Sequence, residues 1–142
     1  MCVCGFACWG WVCAVPLTVK IRLLPDPNRE ATVAYAQQIV AAGASVLTVH
    51  GRNKDEKAQR VGSPDWVTIG KVRAAVGVPV IANGGIATPD DVEACLAATG
   101  CAAAMTSEMS LSTPYVFQAV GSARPSVDSV VGRLSALTCN TV

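Results

Sequence analysis

The sequence predicts an α/β fold of strands and helices alternating around a parallel sheet, and three observations carry that prediction. Short apolar runs rich in β-branched residues recur along the chain, each followed by a polar or glycine-bearing turn. After each turn comes Ser-Pro, Thr-Pro or Asp-Pro, pairs suited to an N-cap and the first helical position. Hydrophobic residues make up 51% of the 142 and charged residues 15%, where soluble domains carry about 25% charged. A chain this apolar is expected to bury its strands on both faces, as parallel sheets covered by helices do.

Residues 1–16 stand apart as an apolar, cysteine-rich stub containing Trp9, Trp11, Cys2, Cys4, Cys8 and Cys13. The stub lacks a basic segment ahead of its apolar run, so it reads poorly as a signal peptide. It also falls short of the roughly 20 apolar residues that span a bilayer, so no membrane association is expected. With Cys95, Cys101 and Cys139 the cysteines number seven. An odd, unevenly spread set argues against a secreted disulfide framework, and no Cys-x2-Cys or histidine spacing suggests zinc. Unpaired thiols in a reducing, cytoplasmic setting are the expectation. A net charge of +1 gives no overall electrostatic case for nucleic acid or membrane, so local patches must carry any such claim.

From Leu17 the elements follow in order. Leu17-Thr-Val-Lys-Ile-Arg22 alternates as a strand whose second face, with Lys20 and Arg22, is not ordinary core. Asp26-Pro27 is expected to open a helix carrying Val33, Ala36 and Val40 on one face, with Gly43 as its stop. Ser45–His50 is the second strand, and residues 51–62 form a polar loop with Arg52, Lys54, Lys57 and Arg60. Ser63-Pro64 is expected to cap a helix running to about Ala75. Val78–Asn83 is the third strand, Asn83-Gly84-Gly85 a tight turn, and Thr88-Pro89-Asp90-Asp91 a helix start with a carboxylate three residues after the cap. Cys101–Thr106 is a weaker, alanine-rich fourth strand, and Thr113-Pro114 is expected to open a last short helix. The result is half of a TIM (βα)8 barrel, about four βα units over residues 17–120, followed by an irregular tail at 121–142; a full barrel takes about 250 residues.

In such a fold ligands bind at the carboxyl ends of the strands. Lys20, Arg22, His50, Arg52, Asn83, Gly84, Gly85, Thr106 and Ser107 all fall there. A lysine within a buried sheet needs partners, or else reaches the rim, and its ammonium suits an anionic or electron-rich ring. His50 is the only histidine in the chain. Asn83-Gly84-Gly85 offers backbone N–H groups for a phosphate, or is simply a tight turn. Arg52, Lys54, Lys57 and Arg60 form either a solvated loop, interleaved as they are with Asp55 and Glu56, or a contact for RNA phosphates.

Leu17–Arg22, Asp26–Glu30, Leu47-Thr-Val-His-Gly-Arg52, Val78–Ile86 and Asp91–Leu96 together resemble the tRNA-dihydrouridine synthases, in particular their eukaryotic cytosolic branch. The resemblance covers roughly residues 17–117 and implies strands five to eight of a flavin-binding TIM barrel. It implies FMN as cofactor, NADPH as reductant and tRNA as partner, with uridine reduced to dihydrouridine. By position, Lys20 and His50 would contact the flavin, while Asn83, Gly84 and Gly85 would lie near its phosphate. Arg52, with Lys54, Lys57 and Arg60, would face RNA. Two departures stand out. The family's Asn-x-Gly-Cys-Pro motif, with its catalytic cysteine, does not occur in these residues, and Met109 stands where the family has a glycine, with Ala102-Ala103 in place of Asp-Gly. A methionine there is expected to crowd the phosphate. The expectation is a truncated synthase or, alternatively, an inactive fragment or RNA-binding pseudoenzyme. Two open strand edges would permit self-association.

Overall fold

The computed structural model describes residues 15–27, 29–56, 62–112 and 116. Along it run β1 (Thr18–Leu23), α1 (Glu30–Ala41), β2 (Val46–Asn53), α2 (Trp66–Ala75), β3 (Val80–Asn83), α3 (Pro89–Thr99), β4 (Ala103–Met105) and α4 (Glu108–Ser112). The four strands form one sheet in the order β1-β2-β3-β4, parallel throughout. Sequential parallel strands joined by right-handed helical crossovers put the helices on one face, as in the wall of a barrel. This is the four-unit α/β half-barrel expected from the sequence. Residues 1–14 of the stub and the tail from Gly121 lie outside the described residues, as do Thr113-Pro114.

Register explains which residues face where. Partners in parallel strands point the same way, so Ile21, Val49, Ala82 and Ala104 form one row on the helical face. There Ile21, Leu47, Val49, Val80 and Ala82 pack against Ala36 of α1, Ile69 and Val72 of α2 and Cys95 of α3. Burying each larger aliphatic side chain contributes about 1.5–3 kcal/mol. The opposite face carries two other rows, Lys20–Thr48–Ile81–Ala103 and Arg22–His50–Asn83–Met105. Among the described residues, then, helices cover one face of the sheet and not both. Thr18, Lys20 and Arg22 are exposed, because the inner face of a barrel wall meets other strands rather than helices.

Helix starts depart from the sequence reading in instructive ways. Only α3 begins as expected: Thr88 caps Asp91 N, Asp91 answers through its carboxylate, and Pro89 takes the first turn. At α1 the N-cap is Arg29, past Asp26-Pro27, and Asp26 Oδ2 instead accepts from Ala31 N at 3.1 Å. At α2 the N-cap is Asp65, whose carboxylate accepts from Thr68 N at 2.8 Å and from Thr68 Oγ1 at 2.6 Å. A carboxylate reaching two donors caps better than the Ser63 hydroxyl before it. The short α4 was not expected at all. No helix among the described residues is long and apolar enough to cross a membrane.

Candidate functional site

At the carboxyl ends of β2, β3 and β4 lies an open cavity of about 260 Å³. His50, Arg52, Asn83, Gly84 and Gly85 line it together with Thr106, Ser107 and Met109. Lys20 joins this group through Asn83. Lys54 is exposed on the turn after β2, away from the cavity lining, while Lys57 and Arg60 fall outside the described residues.

Asn83 organises the floor. Lys20 Nζ donates to Asn83 Oδ1 at 2.7 Å, and Asn83 Nδ2 donates to the Met105 carbonyl at 2.7 Å. One amide thereby ties β1 to β4 across β3, with its two ends fixed by an ammonium and a carbonyl. The lysine has found a neutral partner rather than a carboxylate. Though much of the side chain is exposed, partial desolvation at the Asn83 contact, and next the Arg22 guanidinium, lower its pKa from the ordinary value.

His50 sits in the same row as Arg22 and Asn83. Burial is the main reason its pKa falls to about 4, followed by the positive charges of Arg22, Lys20 and Arg52, with Glu56 acting weakly the other way. The ring is therefore neutral at pH 7, able to donate from one nitrogen and accept at the other. Around it stand three cations, a field that suits an anion or an electron-rich ring.

The glycine turn is shaped by these neighbours. Gly84 has φ +108, and a Cβ there would stand 2.9 Å from His50 Cδ2. Gly85 has φ +74, and a Cβ would meet Pro64 Cγ at 2.5 Å. The turn is held from both sides: Trp66 Nε1 donates to the Gly84 carbonyl at 3.1 Å, and Thr106 Oγ1 to the Ile86 carbonyl at 3.0 Å.

Arg52 shows what the cavity can take. Its Nη2 donates to the Gly62 carbonyl at 3.4 Å, but its Nε is buried with no hydrogen-bond partner among the described residues. A buried guanidinium N–H without an acceptor is costly, a cost that a shift of the Arg52 side chain toward an anion in the cavity it lines would relieve. The residues present thus fit a phosphate-bearing cofactor. Met109 is among the residues that line the cavity.

Arg22, which strand alternation puts on the face of Lys20, stands at the rim as expected and donates from Nη1 to the Asn53 carbonyl at 3.2 Å. Other participants escaped the sequence reading of the site. Trp66 and Arg29 act through contacts distant in sequence, and no local pattern announces them.

Fold and site together define a parallel α/β half-barrel whose strand-end rim gathers a glycine turn, a neutral histidine and three cations. The family model described as Dihydrouridine synthase (Dus) matches residues 11–135. The chain belongs to that family. It is 45% identical over 105 residues to a tRNA-dihydrouridine(16/17) synthase-like protein of Rattus norvegicus, a match covering 74% of this chain and 24% of that protein. With the tRNA-dihydrouridine(16/17) synthase of Saccharomyces cerevisiae it shares 37% identity over 125 residues, covering 82% of this chain and 29% of the other. The chain spans about a quarter of the length of the curated relatives it matches. Nitroalkane oxidase from Streptomyces ansochromogenes overlaps at a TM-score of 0.41 with 26% identity, covering 66% of this chain and 33% of that one, too little to argue from.

Proposed function

We propose that the chain supplies the FMN-binding half of a tRNA-dihydrouridine synthase site, in truncated form, with NADPH as reductant and uridine in tRNA as substrate. The observation that carries this reading is Arg52, whose buried Nε has no partner among the described residues, lining one cavity with the glycine turn and neutral His50, in a chain of this family. When bound, FMN supplies the hydride chemistry that reduces a pyrimidine double bond.

The chain's own residues do the holding. In this reading Arg52 and the N–H groups of the Asn83-Gly84-Gly85 turn, which line the cavity, donate to the phosphate. Lys20 keeps a positive charge on the inner face, where it favours an electron-rich ring, and the Asn83 amide holds that ammonium in place. His50, uncharged, can hydrogen-bond without adding a fourth positive charge. Titrating the purified full chain with FMN tests this: retained flavin absorbance, lost on Arg52→Ala, is expected. A chain that cannot be loaded with FMN overturns it. Formation of dihydrouridine on unmodified tRNA then separates an active from an inactive form.

A second reading, RNA binding without reduction, is favoured by exposed Lys54 on the turn that follows Arg52. Binding of this kind weakens as salt rises, because phosphate contacts release counterions. Salt-independent binding rules it out.

A further inference from the structure

Arg29 lies outside the cavity, yet loops from two βα units meet on it. It is the only non-glycine residue with positive φ among the described residues (φ 61), and it occupies the N-cap of α1 without making a side-chain cap. A backbone of that kind persists where its surroundings over-determine it. Here the surroundings are three acceptors. Arg29 Nη1 donates to the Leu24 carbonyl at 3.3 Å, Nε lies 3.4 Å from Asp65 Oδ2, and Nη2 lies 3.9 Å from Glu56 Oε1.

Those two acids grip the chain on either side of Arg52. Glu56 Oε2 accepts from Asn53 N at 2.7 Å, and Asp65 N donates to the Gly51 carbonyl at 2.8 Å. The Asn53 side chain closes the same turn, its Oδ1 accepting from Asp55 N at 2.8 Å and Glu56 N at 3.0 Å. Next to Asp65, Pro64 stands against Gly84 and Gly85. The peptide groups flanking Arg52 are thus held by two residues that a single guanidinium draws together.

We propose that Arg29 is a positioning residue: by clamping Glu56 and Asp65 it fixes the backbone that aims Arg52 at the cavity. The choice of FMN as the probe rests on the function proposed above. Arg29→Gly is the informative variant, since glycine adopts the positive φ freely while the guanidinium is lost. The full chain is measured for FMN affinity by flavin fluorescence, for amide hydrogen exchange over residues 50–56, and for Tm. Arg29→Gly is expected to weaken FMN binding by about two- to tenfold, the worth of two partly exposed ion pairs. Exchange at Arg52 and Asn53 rises while Tm holds. Glu56→Gln has a similar effect, and the double variant is no weaker than the weaker single one, because both remove one network. Additive losses, or a lowered Tm with unchanged affinity and exchange, overturn the proposal. If the wild-type chain takes up no FMN, the functional reading fails by itself, and hydrogen exchange alone decides for or against the clamp.

Discussion

Gly43 and Gly84 have nearly the same positive φ, +104 and +108, but differ in what a side chain would meet. At Gly43 nothing lies within 4 Å, whereas at Gly84 a Cβ would stand 2.9 Å from His50 Cδ2 and 3.1 Å from Nε2. Gly43→Ala therefore carries backbone strain alone, about 1–3 kcal/mol. Gly84→Ala carries the same strain plus the forced displacement of a half-buried ring, a further 1–3 kcal/mol or so by the usual cost of overpacking. Taking the difference cancels the entropy that any glycine-to-alanine change removes from the unfolded chain. Urea unfolding of the two variants is the assay, and with a slope of about 1–3 kcal/mol per molar the midpoints should separate by roughly 1 M. Gly84→Ala is expected to be the less stable. Equal losses would refute the claim that the His50 ring, packed on the turn, is what demands glycine there.

Further expectations follow from the charge pattern. Because the His50 pKa is about 4 in the fold against an ordinary 6.5, the unfolded chain binds a proton that the fold excludes. Its contribution to stability is complete above pH 6.5 and is lost as pH falls toward 4. Thermal melts between pH 7 and 4 should show that decline, and His50→Gln should flatten it. Asp65 and Asp91 both lie below the usual 3.8 despite burial, through hydrogen bonds at the helix starts. Their contributions are present above 3.8 and vanish only below it, a separate and more acidic step. Asn83→Ala leaves the Lys20 ammonium and the Met105 carbonyl without their partner, a loss of about 1–3 kcal/mol in unfolding free energy; an unchanged midpoint would mean that water replaces the amide at no cost.

The order of strands and helices was legible because each unit repeats a local code: an apolar β-branched run, a polar turn, a proline near the helix start. α3 was readable to the residue, since a Thr-Pro-x-Asp box satisfies its own donors. α1 and α2 were misplaced because their caps are set from elsewhere. Arg29 takes a left-handed backbone for its reach to Asp65 and Glu56, and Asp65 is itself tied to Gly51. α4, five residues without a proline start, offered no signal. At the site, strand alternation and carboxyl-end position were enough to gather Lys20, His50 and Asn83. The same logic could not reveal that Lys20 pairs with Asn83, that Gly84 yields space to His50, or that the Arg52 Nε finds no acceptor among the described residues. Those facts depend on residues brought together only by folding.

The central claim is that this half-barrel holds a flavin by its phosphate, on Arg52 and the Asn83-Gly84-Gly85 turn. Equilibrium titration of the full chain with FMN and, in parallel, with riboflavin tests it most directly. The two ligands differ only in the phosphate, so FMN should bind at least about tenfold more tightly, a difference of about 1.4 kcal/mol. Equal affinity for both, or none for either, would contradict the account.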